Sequence, residues 1–252
     1  MPPATQTDPE LVRLPGMSRG RIAKLHRIAA ALAANVNVHV GHGRILYHTA
    51  MVPAIVLAAG RSSRMGRPKA LLPIGGAGQT FLSRILTTLR RAEVDDLLVV
   101  VGYEAEAVIA SLGALDFPIR VVENRDYQRG QLTSLQAGLL AADRPGVRGV
   151  LVTLVDVPLV TADTVRLVLE AYRRHRPAAV VRPVSGARHG HPVVFDRTLF
   201  DELRAADPAL GAKPVVRAHL AATVDVPVED EAAFLDIDTR EDYERWIGRF
   251  PD

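Results

Sequence analysis

The stretch Leu57-Ala58-Ala59-Gly60-Arg61-Ser62-Ser63-Arg64-Met65-Gly66-Arg67-Pro68-Lys69 decides how this chain folds and what it handles. It continues from the apolar run Ala54-Ile55-Val56, which together with Leu57 reads as a buried strand. A strand that empties into a small-residue, Arg-rich loop exposes backbone N–H groups beside fixed positive charge, a combination suited to a polyphosphate. Small residues let the backbone approach a ligand closely, and Gly60 and Gly66 tolerate φ values that other residues resist. Arg64 offers a planar fork of donors and Lys69 a point charge. Spacing excludes two other phosphate loops. Gly60 and Gly66 are six apart rather than five, and Arg67-Pro68 stand where a P-loop requires Lys-Ser/Thr. The dinucleotide fingerprint G-x-G-x-x-G is absent after this strand.

Outward from the loop, apolar runs alternate with helical periodicity. Strands are expected at 54–57, 96–102, 120–123, 149–154 and 178–183, and helices over 80–92, 104–112, 134–142 and 161–175. Strands without polar alternation, separated by helices, predict a mostly parallel sheet covered on both faces, an open three-layer α/β/α, Rossmann-like domain. Ligands in such sheets bind beyond the carboxyl ends of the strands.

The loop resembles the signature of nucleotidyltransferases with a glycosyltransferase-A-like fold, which carry Leu-Ala-x-Gly, then Arg-Met-Gly, then a Lys. Within them the chain is most similar to the molybdenum cofactor cytidylyl- and guanylyltransferases. The resemblance runs from about residue 53 to about residue 246. It implies that Leu57, Ala58, Ala59, Gly60, Arg61 and Lys69 hold the nucleotide and that Arg64 and Lys69 act on its phosphates.

A second element is Val150-Leu151-Val152-Thr153-Leu154-Val155-Asp156-Val157-Pro158. A lone carboxylate at the end of an apolar strand is costly unless it meets a cation or good donors. In the family resembled, an Asp in this Asp-x-Pro context ligates the Mg²⁺ that binds the nucleotide. The competing role for Asp156 is an Asx turn or helix cap, although Thr161 is the better cap for the next helix. A third element, Asp236-Ile237-Asp238-Thr239-Arg240-Glu241-Asp242, resembles the closing segment of the family, with Arg240 where Pro is common. Asp238 is the candidate second metal ligand and Asp236 the alternative. Thr239 and Asp242 have the spacing of a capping box, and capping competes for Asp238 as well. Asn124, ending a strand, and Ser134, in the Gly-led segment Gly130-Gln131-Leu132-Thr133-Ser134, match the part of the family that holds the nucleoside. Their plain structural roles are a strand-end turn and a helix cap. Arg182, Arg188 and His191, around a Gly-His-Pro turn, and Lys213, in a Leu-Gly-Ala-Lys segment, match the acceptor side. A solvated basic rim is the alternative for them. At Lys213 the family carries Arg, so charge is kept and the bidentate fork is lost.

The chain has 252 residues, with 48% hydrophobic content and 31 basic against 28 acidic side chains. That balance speaks against a nucleic-acid partner, and no apolar run has the length of a membrane span. The absence of cysteine removes disulfides, thiolate metal sites and thiol nucleophiles. Without a signal-peptide pattern, a cytoplasmic location is the default expectation. Residues 1–50 differ from the rest: a Pro-containing start, an Ala-rich amphipathic helix over 19–34, then a loosely ordered segment holding His39, His42 and His48, with His26 upstream. His39-x-x-His42 lacks the Glu and the helical context of a zinc site. The division expected is a poorly ordered extension over 1–50 and a nucleotidyltransferase domain over 51–252, the functional enzyme beginning near Met51.

The resemblance implies transfer of CMP from CTP to the phosphate of a molybdopterin-type acceptor, with Mg²⁺ as cofactor and a molybdoenzyme as eventual recipient. Members of the subgroup that use CTP tend to show Leu-Ala-Ala-Gly, as here, and GTP users Leu-Ala-Gly-Gly. Alternatives are a guanylyltransferase or sugar-1-phosphate transferase of the same fold, and a non-catalytic protein that binds the cofactor and hands it on. The last would need no paired carboxylates.

Overall fold

The computed structural model describes residues 36–40, 51–76, 78–175 and 177–251. Its sheet begins with β1 (Val36–Val40) and β2 (Ala54–Leu57). Helix α1 (Phe81–Arg91) leads to β3 (Leu97–Val101), and α2 (Ala105–Ser111) to β4 (Arg120–Asn124). Helix α3 (Gln131–Ala142) precedes β5 (Gly149–Leu154), and α4 (Ala162–Arg174) precedes β6 (Val180–Ser185). Short elements follow: β7 (Arg188–His189), β8 (Val193–Asp196), α5 (Phe200–Ala205), α6 (Lys213–Ala218), β9 (Thr223–Pro227) and α7 (Arg240–Trp246).

Strand order is β1-β4-β3-β2-β5-β8-β6-β7, with β9 beside β6. Strands β4, β3, β2 and β5 run parallel, and β6 pairs β9 in parallel. The mostly parallel three-layer arrangement is therefore present, with two departures. Antiparallel β8 lies between β5 and β6, so β6 does not extend the parallel run directly. Residues 36–40, read from sequence as part of a loosely ordered segment, form a strand antiparallel to β4. The helix expected over 19–34, and His26, His42 and His48, lie outside the described residues.

Alternate residues of β2 serve the two faces. Ala54 and Val56 join the core under α1, α2 and α4; Ile55 and Leu57 join the one under α3 and α5. On α1, Phe81, Leu82, Ile85, Leu86 and Leu89 are all 0–1% exposed, so its apolar stripe is wholly used. Each such side chain contributes about 1.5–3 kcal/mol of burial, most of it offset by lost chain entropy. Thr80 starts α1 with a capping box through Ser83, and Thr161 caps α4 by accepting from the Thr164 N–H. At the amino ends of the strands, Asp96, 7% exposed, receives Arg120 at 2.9 Å and Arg144 at 2.6 Å. At the other edge, the Gln136 amide donates to the carbonyls of Leu203, Arg204 and Ala206. It thereby satisfies the end of α5 and fixes where the chain toward α6 departs.

Candidate active site

Strand order reverses between β2 and β5: β3 lies on one side of β2 and β5 on the other. An open α/β sheet leaves a crevice at that switch point, beyond the carboxyl ends of its strands. Leu57 pairs with Leu154 across the two strands, so the loop after β2 and Asp156 after β5 leave the sheet side by side. A crevice of about 270 Å³ lies there, bordered by Ala59, Gly60, Arg64, Lys69, Asp156 and Asp238 among others.

Local geometry builds each wall. Met65 is fully buried and pins the loop, its N–H donating to the Ser62 carbonyl at 2.8 Å. Ser62 and Gly66 take positive φ, +50° and +71°. Gly60 is not among the positive-φ glycines, and a Cβ there would meet nothing within 4 Å, so neither backbone conformation nor packing requires glycine at this position. The Ser62 hydroxyl accepts from the Lys69 N–H at 3.1 Å, closing the loop on itself. On the far wall, Ile237 donates its N–H to the Asp156 carbonyl at 2.8 Å. That bond brings the closing segment onto the end of β5. Thr239 and Asp242 form the capping box of α7, so capping is done without Asp238 and its carboxylate turns to the crevice.

The charged groups converge. Lys69 Nζ lies 2.5 Å from Asp238 Oδ1 and 3.4 Å from Asp156 Oδ2, and its side chain is only 9% exposed. Arg64 Nη1 reaches Asp238 Oδ2 at 3.4 Å from a largely solvent-facing position. Asp236 belongs to the same field. Its carboxyl is pushed up by desolvation and by repulsion from Asp156 and Asp238, with Lys69 opposing. Three carboxylates thus face two cations.

Asp156 Oδ1 is buried with no hydrogen-bond partner. An uncompensated carboxylate oxygen beside a second carboxylate is the environment a divalent cation satisfies, so the residues present fit a metal. Among the described residues no group of three or more His, Asp or Glu side chains is arranged to hold one alone. Further ligands would come from phosphate oxygens and water, as suits Mg²⁺.

Not every expected residue reaches the crevice. Leu57, Ala59, Gly60 and Ser134 border it. Ala58 is 4% exposed and packs into the core, its N–H donating to the Val100 carbonyl. Arg61 turns outward, its guanidinium 5.7 Å from the Tyr103 ring centroid. Asn124 is 3% exposed, and its amide is consumed internally, donating to Thr133 Oγ1 at 2.9 Å and Ser134 Oγ at 3.0 Å and accepting from the Asp126 N–H. It positions the start of α3 rather than facing a ligand. Helix α3 begins at Gln131, three residues before its expected start, so Ser134 lies within the first turn and is not its cap. The sequence reading missed Ser62, Ser63, Tyr127 and Gln131, which also border the crevice. The two serines were legible as part of the signature loop. Tyr127 carried no motif of its own.

A second cavity, of about 780 Å³, opens beside the first; Leu57, Gln131 and Leu154 border both. Arg182, His191 and Lys213 line it. Arg182 is paired with Asp225 at 2.7 Å. His191 is held below its ordinary pKa by burial, against the pull of the Val152 carbonyl and Asp156; at neutral pH it is an uncharged donor or acceptor. Arg188 is not in the cavity. Its guanidinium pairs with Glu231 at 2.7 Å and stacks over Phe234, 5.0 Å from the ring centroid. The anionic-acceptor role expected of it does not fit this position, because β7 turns it toward the 231–234 segment.

A parallel sheet with a basic, small-residue loop facing paired carboxylates at its switch point defines an α/β enzyme class that handles nucleoside triphosphates. A family model described as a MobA-like NTP transferase domain matches residues 54–224, and the chain belongs to this family of nucleotidyltransferases. It is 31% identical over 222 residues to a molybdenum cofactor guanylyltransferase of Rhizobium meliloti, covering 81% of this chain and 96% of that protein. It is 40% identical over 137 residues to a bifunctional IPC transferase and DIPP synthase of Rubrobacter xylanophilus, covering 53% of this chain and only 30% of that longer protein. Among solved structures, Rv0371c of Mycobacterium tuberculosis H37Rv superposes with a TM-score of 0.66 at 32% identity, covering 79% of this chain and 98% of that one. A manganese complex of Rv0371c gives a TM-score of 0.64 at 29% identity, covering 79% and 99%. No helix among the described residues is long and apolar enough to cross a membrane.

Proposed function

We propose that this protein transfers CMP from CTP to the phosphate of a molybdopterin-type acceptor, with Mg²⁺, releasing pyrophosphate. The observation that carries the reading is the meeting of Lys69, Asp156 and Asp238 in one crevice, with one Asp156 oxygen buried and unsatisfied. An oxygen of the acceptor phosphate attacks the α-phosphorus in line. The new P–O bond forms as the bond to the β-phosphate oxygen breaks and pyrophosphate leaves. No protein nucleophile is needed; positioning and charge neutralisation are the tasks. Lys69, fixed by two carboxylates and shielded from water, supplies preorganised positive charge. Arg64, on the open side of the loop, supplies a planar fork to phosphate oxygens. Asp156 and Asp238 would hold Mg²⁺, which when bound neutralises charge on the phosphoryl oxygens. The adjoining cavity, with His191, Arg182 and Lys213 in its walls, is where the acceptor lies, and a molybdoenzyme is the recipient of the product.

Ala59 supports CTP over GTP. It stands where GTP users of the resembled subgroup carry Gly, and it borders the crevice. GTP is the second reading, favoured by the guanylyltransferase named among the relatives. Thermal shift with Mg²⁺ and CTP, GTP or UTP separates them: stabilisation by CTP alone supports the first, by GTP alone the second. Pyrophosphate release from CTP in the presence of molybdopterin tests the reaction itself, and its absence with every triphosphate would overturn the proposal.

A further inference from the structure

Arg217 lies one helical turn after Lys213 on α6, and both side chains line the 780 Å³ cavity. The other arginine of the cavity, Arg182, is neutralised by Asp225. Lys213 and Arg217 have no ion pair or side-chain hydrogen bond among the described residues. Like charges at this helical spacing repel each other. Among the described residues no Asp or Glu lines the cavity to relieve them, and the walls include Leu135, Val152, Phe195 and Val216. Two uncompensated cations over an apolar, acid-free cavity form a site for an anion.

The position of this pair says which anion. Lys213 and Arg217 do not border the crevice that holds Asp156 and Lys69, whereas the cavity does reach that crevice through Leu57 and Leu154. An acceptor whose phosphate reacts beside Asp156 therefore meets these cations with another part of its body. We infer that Arg217, together with Lys213, recognises a second anionic group on the acceptor. The substrate class is a phosphate monoester that also carries a carboxylate, thiolate or oxyanion, the two charges joined by a body that packs against aliphatic walls. Arg217 is the specificity-determining residue, because its fork can engage an oxyanion through two bonds and Lys213 cannot. The inference rests on the nucleotidyl-transfer reading only for which group is the reacting phosphate.

Binding of a series of ω-phosphonooxy carboxylates of increasing length tests it, each compared with the alkyl phosphate of equal length. The measurement uses the full chain, Arg217→Ala and Arg217→Lys, without nucleotide. At one length the carboxylate is expected to bind the wild type at least about tenfold more tightly than its partner, as a charge-assisted bond provides. Arg217→Ala should bring that ratio to near one and Arg217→Lys should restore part of it, with melting temperatures unchanged because the side chain has no partner to lose. Equal binding of both series by the wild type, binding of neither, or an unchanged ratio in Arg217→Ala overturns the inference. Pyrophosphate release from CTP is measured on the same preparations. In the wild type, absence of release with the ratio present counts against the transfer reading alone, and a ratio of one with release present counts against the anion site alone.

Discussion

The ammonium of Lys69 sits 2.5 Å from Oδ1 of Asp238, although 169 positions separate them in the chain. With Asp156 at 3.4 Å on its other side, Lys69 occupies the place between two carboxylates that a divalent cation would share. Its charge both prepares the site and competes with the metal.

That double role gives a paired expectation. Lys69→Met should lower the rate of nucleotidyl transfer about 10²-fold or more, as removal of a preorganised donor does. In the absence of nucleotide it should tighten Mn²⁺ binding, read by loss of the free-ion electron paramagnetic resonance signal. Asp156→Ala should lose more activity than Lys69→Met and should bind Mn²⁺ more weakly. Near-wild-type turnover of Asp156→Ala in Mg²⁺ would falsify the metal assignment.

His191 makes stability depend on pH. Burial lowers its pKa below the ordinary 6.5, so between that value and its native pKa the unfolded chain binds more protons than the folded one. Stability is then intact above pH 6.5 and falls as the pH drops through the native pKa, by at most about 1.4 kcal/mol per pH unit. His191→Gln should flatten this part of the melting-temperature profile. A variant profile parallel to that of the wild type from pH 7 to pH 5 would show that His191 does not titrate there (window set by the ordinary histidine value).

Asp96 anchors the opposite end of the sheet. It is 7% exposed and receives Arg120 through two bonds of 2.9 Å, with Arg144 at 2.6 Å. Asp96→Ala leaves both cations in low-dielectric surroundings and should cost about 3 kcal/mol in denaturant unfolding. Because it precedes β3 while the crevice lies beyond the carboxyl ends, KM for the nucleoside triphosphate should not change. A rise in KM at full folding would show coupling through the sheet.

A chain starting at Met51 is proposed to fold and to retain activity. It would lose β1, which among the described residues pairs with β4 at the sheet edge, and keep β4, β3, β2 and β5 with their helices. Circular dichroism and pyrophosphate release should match those of the full chain; loss of both means that residues 1–50 belong to the domain.

Much of the site was legible because it is local to strand ends. Gly60, Arg64 and Lys69 follow β2 within one loop, and Asp156 follows β5 by two residues, so an apolar run and the polar residue after it are enough to mark them. Thr161 and Thr239 were legible as caps for the same reason, since capping acts over three residues. Asn124 was legible as a strand-end turn, its side chain accepting from the Asp126 N–H, but the destination of its amide was not, nor was that of Arg188, because both are set by partners outside the local segment. The Asn124 amide meets Thr133 and Ser134 across the start of α3, and Arg188 meets Glu231 and Phe234 across two loops.

By itself the chain of residues determined the alternation of strand and helix and the chemistry held at each strand end, because side-chain periodicity and short-range turn geometry are properties of neighbours. Tertiary structure alone decided the order of the strands, with antiparallel β8 between β5 and β6. It also decided the bond from Ile237 to Asp156 that closes the crevice, and which cations were neutralised and which were left facing a cavity. Those outcomes depend on packing between segments far apart in the chain, where the energy of a contact is fixed by what surrounds it and not by the residues on either side.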